Sequence, residues 1–473
     1  MHSKIVVPLI VACALFMENL DATVISTALP AIALDMGRDP ISLKLALTSY
    51  LLTLAVFIPI SGWMADRFGA RTVFCWAIVV FTVGSALCGF AHSILDFVLY
   101  RVIQGIGGAM MTPVGRLVIL RLVPKHELVS ALAWLVVPAL VGPLIGPPLG
   151  GLITTYFSWR WIFWINIPIG VIGILFAMKF IENVREQSVP ALDVRGFVLS
   201  GVGLAGLAFG FTTIGQDLMP ASISISMLAV GTAAIVIYVI HARDATAPLI
   251  DLKLLSVPTF RASVVGGSIF RIGIGAMPFL LPLLFQIGFG MTPLQSGLLT
   301  FAGAVGAMAM RANAARILRR FGIKRVVLIN SIVASGFIAA CALFRPETPY
   351  WFILSVLLIG GLFRALQFTS LNSLAFADLG SSQMSQATSF TSVAQQLSIT
   401  AGVAIAALAL ESVRYVRGDD LILASDFMFA FLVIGGLSAC SIFFLLRLPI
   451  DAGASLTAKP PIEAPEAEST REI

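Results

Sequence analysis

Ionisable side chains stand inside stretches that are otherwise apolar, among them Glu18, Asp21, Arg101, Arg271 and Arg364. In an apolar medium each such charge costs about 2.5–3.5 kcal/mol even on the mildest insertion scale, so it is kept for a function or a partner. Glu18 and Asp21 are three residues apart and share one helical face. Carboxyls that close titrate as a coupled unit. A unit that loads a proton on one side of a barrier and unloads it on the other is what proton-driven transport requires. The plainer reading of the same residues is a salt bridge that only pairs helices.

The elements that must carry them are apolar runs of about twenty residues, fourteen in all. They fall near 5–33, 45–64, 72–91, 97–120, 129–153, 161–181, 196–215, 222–241, 261–287, 294–315, 325–344, 350–372, 386–410 and 426–446. Apolar residues make up 58% of the chain and charged ones 11%, against roughly 25% charged in a soluble domain. A run of roughly 20 apolar residues spans the ~30 Å hydrocarbon core as a helix, and in lipid only helices or closed barrels satisfy every backbone polar group. The spacing therefore predicts an all-α membrane protein embedded in a lipid bilayer.

Depth then links two of the charges. Asp21 lies 16 residues past Ile5, ~24 Å along a helix, and Arg101 lies four residues past Phe97 on a helix of opposite direction, ~6 Å in. Across ~30 Å of hydrocarbon the two meet. Proton uptake on the acid would loosen this attraction and let helices one and four shift.

Lys and Arg concentrate in cytoplasmic loops. With the N-terminus inside, twenty of the thirty fall in inside segments and six in outside ones, so both termini are expected in the cytoplasm. Tyr156, Trp159, Trp161 and Trp164 mark one outer boundary and Tyr350 with Trp351 another. The tail from Gly453 is rich in Pro, Ala and Glu and reads as disordered. The basic residues form no dense patch, which argues against nucleic acid. No phosphate-binding loop argues for ATP, and no His, Cys or carboxylate spacing for a metal or a catalytic centre. No cofactor is expected, and the chain does not read as an enzyme.

A segment repeats. The segment Gly62 to Arg71, with Asp66, Arg67, Phe68 and Gly69, returns in part as Ala315 to Arg325, with Arg319, Arg320, Phe321 and Gly322 each 253 residues later, and Arg101 and Gln104 are echoed by Arg364 and Gln367. Parallel duplication of a six-helix unit is a known transporter architecture. Six and six leave two runs over, midway. The expected division is residues 1–181, a linker 182–254 carrying two inserted helices, residues 255–447, and a tail 448–473.

These motifs resemble the major facilitator superfamily, in its fourteen-span drug:proton antiporter branch. Gly62 to Arg71 fits the cytoplasmic-loop motif, Arg101 to Gly108 the fourth-helix motif, and Leu20 to Pro30 the first-helix motif, with Ser26 where Asn is more usual. Gly142, Pro143, Gly146, Pro147, Gly150 and Gly151 fit the fifth-helix antiporter motif, and Trp159 to Pro168 is typical as well. The resemblance implies the major facilitator fold and a monomer in the bacterial inner membrane that exports small molecules against protons. It makes Asp21 the coupling carboxylate, with Glu18 and Arg101 beside it. It makes the Asp66 loop a gate that stabilises the outward-open state. Arg319 in place of Asp66 leaves that latch one-sided. The antiporter motif would form a leak-tight seam, although close packing alone would use the same residues.

The expected substrate cavity is lined by Asn19, Gln104, Arg271, Gln286, Arg364 and Gln367, with Arg271 facing Glu18. Two acids against three arginines leave one net positive charge, so an anionic or zwitterionic metabolite (organic acid, amino acid or iron chelate) fits as well as a lipophilic cation.

Overall fold

The computed structural model describes residues 3–122, 128–185, 189, 191–213, 220–245, 248–380, 383–419, 421–449 and 452. The expected disordered tail from Gly453 lies outside them. Fourteen long helices follow one another: α1 Ser3–Asp35, α2 Pro40–Phe68, α3 Ala70–Gly89, α4 Ile94–Leu122, α5 Leu128–Tyr156, α6 Trp161–Phe180, α7 Val194–Thr213, α8 Ala221–Asp244, α9 Pro258–Gly288, α10 Pro293–Phe321, α11 Ile323–Leu343, α12 Tyr350–Phe376, α13 Met384–Arg417 and α14 Asp426–Leu445. Among the described residues thirteen are long and apolar enough to cross a membrane. The remaining one, α5, has 29 residues, about 43 Å of helix. No strand occurs among the described residues.

The sequence makes local breaks inside these rods. Pro59 has no N–H to give, and α2 passes through a 3-10 turn at Ile58–Ile60. Gly69 (φ 93°) and Gly322 (φ 77°) end α2 and α10 in a backbone region that a side chain disfavours. Their equivalent positions make the repeat structural. Both ends also run further than the apolar pattern suggested, α10 to Phe321 and α13 to Arg417.

Packing repeats as well. In the first six helices α1 lies on α5 and α6, α4 on α2 and α3, and α3 on α6; α9–α14 repeat each of these pairings in the same order. The result is two six-helix bundles. They touch along two seams, α5 against α10 and α2 against α13. The two left-over helices, α7 and α8, pair with each other, and α7 lies on α2 and touches α13.

The apolar core shows how the bundles meet. At the end away from the Arg-Phe-Gly turns one cluster joins both, with Leu29, Ile32 and Phe97 from the first and Phe285, Leu410 and Phe427 from the second. Towards the Arg-Phe-Gly end the cores separate: Val11, Phe74 and Val114 belong to one cluster, Phe270, Leu318 and Leu371 to another. The molecule is zipped at one end and divided at the other.

Candidate functional site

Asp21, in the middle of α1, is buried at 3% exposure. Its Oδ2 accepts from Arg101 Nη1 at 2.6 Å. Its Oδ1 accepts from Gln104 Nε2 at 2.9 Å and from Asn166 Nδ2 at 3.1 Å. Gln104 closes the triangle, because its Oε1 accepts from Arg101 Nη1 at 2.6 Å. The i, i+3 spacing of Arg101 and Gln104 puts both on the face of α4 that meets α1. Asn166, at the start of the longer stretch of α6, also donates to Ser85 of α3 at 3.0 Å. The Arg101 guanidinium lies 4.2 Å from the centroid of the buried Tyr50 ring on α2. Five of the first six helices thus converge on one carboxylate. The expected meeting of Asp21 and Arg101 is present in the geometry.

Glu18 takes another partner. It is half-buried, and its Oε2 accepts from Thr112 Oγ1 of α4 at 2.8 Å. The two acids of α1 therefore sit in two settings, one fully buried against an arginine and one half-buried against a threonine. Asn19 spends its amide on its own helix, donating to Leu15 O at 2.7 Å.

The second bundle differs from the reading of the sequence. Arg271 does not pair with Glu18; it is fully buried, donating to Asn372 Oδ1 at 3.0 Å and Ser263 O at 3.4 Å. The Arg-x-x-Gln echo is out of register. Arg101 lies seven residues into α4 and Arg364 fourteen into α12, a displacement of about 10 Å along the helix. Gln367 consequently binds neutral groups of α11, accepting from Asn330 Nδ2 at 2.9 Å and donating to Val327 O at 3.0 Å. Arg364 is half-buried against Gly303 of α10, whose added Cβ would stand 3.0 Å from its Nη2. Gln286 donates to Thr27 O of α1 at 2.9 Å, so it ties the bundles together at the zipped end.

That end holds further ties. Lys44, fully buried at the start of α2, donates to Glu411 of α13 at 2.9 Å, and Arg414 of α13 pairs with Asp39. The antiporter motif lies between α1 and α10. A Cβ on Gly142 or Gly146 would run into α1 at Leu20 or Thr23; on Gly150 it would fall 2.4 Å from Val24 O; on Gly151, 2.4 Å from Pro293 O. Gly297 of α10 answers with its Cβ position 2.2 Å from Pro147 O. Pro143 stands on the same stretch.

At the divided end Asp66 pairs with Arg121 at the end of α4, 2.5 Å away, rather than with Arg67 or Arg71 of its own loop. Arg67 is exposed, and Arg71 donates to Ile181 O at 3.4 Å. Gly62 is open, whereas an added Cβ on Gly69 would meet Asn183 Oδ1 at 2.2 Å. That oxygen accepts from Thr72 N at 3.3 Å, in the first turn of α3. Thr112, Arg121, Asn166 and Asn183 were not singled out from the sequence. Asn166 alone carried a signal, inside the Trp159 to Pro168 motif.

The arrangement is a buried carboxylate whose charge organises several helices. Among the described residues no cluster suits a metal ion.

Comparison with known proteins agrees with the fold. The family model described as Major Facilitator Superfamily matches residues 11–403. The chain is 37% identical over 448 residues to a protein of Escherichia coli O157:H7 named "Putative multidrug resistance protein MdtD", covering 93% of this chain and 94% of that one. Among solved structures, a D-xylose-proton symporter superposes with TM-score 0.66 at 16% identity, over 95% of this chain and 98% of that one. The human organic anion transporter MFSD10 gives 0.59 at 17% identity, over 93% and 99%. The chain belongs to the Major Facilitator Superfamily, as a fourteen-helix, multi-pass membrane transporter.

Proposed function

We propose that this transporter exports small molecules in exchange for protons by alternating access, and that its substrates include drugs of the kind the relative's name implies. The observation that carries the reading is the buried Asp21–Arg101–Gln104–Asn166 network. It places one titratable carboxyl where its charge holds α1, α4 and α6 together. A proton on Asp21 removes the charge that Arg101 pairs with and frees α1 to slide on α4. Glu18, half-buried three residues before Asp21 on the same helix, is the point through which that network exchanges protons. The moving bodies are residues 1–181 and 255–447, joined by 182–254.

By the distribution of Lys and Arg, the divided end faces the cytoplasm, and the zipped arrangement is the inward-facing one of a protein in the bacterial inner membrane. The Asp66–Arg121 pair latches α2 to α4 on that side. Each charge crossing the membrane potential is worth about 2.3 kcal/mol per 100 mV, so one proton can drive a solute roughly fiftyfold uphill.

The test is substrate-stimulated proton release from purified protein, screened over cationic drugs and anionic metabolites, followed by pH-driven uptake into vesicles. Asp21→Asn is expected to keep the fold and abolish proton-driven uptake. Uptake that survives this substitution would sink the reading.

A further inference from the structure

The second bundle buries a guanidinium that has no counter-charge. Arg271 is fully buried, and both groups that accept its hydrogen bonds, Asn372 Oδ1 and Ser263 O, are neutral. Its Nε has no partner. The centroid of the Phe368 ring lies 5.6 Å from the guanidinium. Among the described residues no carboxylate pairs with it, in contrast to Arg101 and Asp21. A charge kept for joining helices is expected to bring its opposite with it, because an uncompensated charge in the membrane interior is expensive.

The surroundings resemble a prepared cradle. Asn372 Oδ1 accepts a second time, from Gln395 Nε2 of α13 at 2.9 Å. One uncharged amide oxygen therefore faces two donors, one of them cationic, in the position a carboxylate oxygen would fill better. Asn372, Gln395 and Phe368 are only half-buried, so the cluster is not sealed on every side. The flat fork of arginine matches a carboxylate with two parallel hydrogen bonds.

Position supports the same view. Arg271 stands 253 residues after Glu18, the interval that separates Gly69 from Gly322. Glu18 is tied to the fourth helix of its bundle through Thr112, and Arg271 to the fourth helix of the other through Asn372. The duplicated place carries an acid in one copy and a base in the other.

We propose that Arg271, Asn372 and Gln395 form a subsite for the carboxylate group of the transported solute, so that the substrates include organic acids. The subsite rests on the reading of the chain as a small-molecule exporter and names the chemistry it selects. The anion displaces Asn372 Oδ1 from Arg271, and the freed amide and Gln395 close over it.

Equilibrium binding to the purified full-length protein tests this without a proton gradient. The probes are 1-naphthoate, its neutral amide and 1-naphthylmethylammonium, which share one ring system and differ in charge. The wild type is expected to bind the naphthoate about tenfold or more tighter than the amide, the scale of a charged hydrogen bond. Arg271→Gln removes that preference and leaves amide binding unchanged; Arg271→Lys retains part of it. Asn372→Asp gives Arg271 a fixed counter-charge. It is expected to raise the melting temperature and to abolish naphthoate binding, which keeps the proposal testable if Arg271→Gln does not fold. Equal affinity for acid and amide, an acid preference that survives Arg271→Gln, or a lower melting temperature in Asn372→Asp would overturn it. Naphthoate binding without substrate-driven proton release would remove the coupling mechanism alone, and proton-coupled export of cations with no acid binding would remove this subsite alone.

Discussion

Asp21 accepts three hydrogen bonds at a position that is almost wholly buried. Breaking a buried ion pair from one side leaves the other charge stranded, at a cost of about 3–5 kcal/mol. Arg101→Ala is therefore expected to lower the thermal stability of the detergent-solubilised protein markedly. Arg101→Met together with Asp21→Asn should recover much of the loss, since no charge then remains unpaired. Melting curves of the single and double variants would check this, and additive losses would contradict it. The pairing was legible in the sequence because helix rise fixes depth, and depth alone brought Asp21 level with Arg101. Depth does not fix rotation. The partners Thr112, Asn166 and Arg121 depend on which face each helix turns to its neighbour, and the slipped register of Arg364 depends on where α12 begins.

At the scale of elements, closure of the zipped end combines backbone contact with charge. The seam between α5 and α10 has no room for a side chain at Gly297 or Gly151. Gly297→Val is expected to hold this end ajar and to abolish transport, while the protein still reaches the membrane. Across the other seam, Lys44→Glu places like charges opposite Glu411. It should expose the zipped end, read as faster thiol labelling of a cysteine placed at Leu29. The double exchange with Glu411→Lys should restore protection. The glycine motif was visible in the sequence as a motif, but its second face against α10 was not. The Lys44–Glu411 pair joins residues 367 apart and leaves no periodic trace.

For the whole molecule, the count of fourteen runs and the duplicated loop pointed to a two-bundle plan, and Gly69 and Gly322 share a positive φ at the matching turns. The placement of the extra hairpin came only with the packing. Asp193 clasps it: its carboxylate pairs with His241 at the end of α8 at 2.8 Å and accepts from the amides of Gly196 and Leu249. Burial by itself would push this carboxyl up, but the Gly196 amide and the His241 ring outweigh it and hold it below the ordinary carboxylate value. The stabilisation that the Asp193 carboxylate contributes is then present above pH 4 or so, where an unfolded aspartate is ionised, and is lost as the pH falls through the lower folded value. Asp193→Asn should loosen the segment after α8 at neutral pH, measured as faster amide exchange around Ile250, whose peptide group Tyr238 also binds.

That hairpin makes the molecule lopsided. α7 covers the flank where α2 meets α13, and Tyr238 of α8 joins Ala55 and Val393 in a shared apolar cluster there. Among the described residues no corresponding pair of helices shields the flank where α5 meets α10. A lipid approaching the molecule from the side would meet the hairpin at one flank and α5 and α10 directly at the other, so photoreactive lipids should mark α5 and α10 far more than α2 and α13.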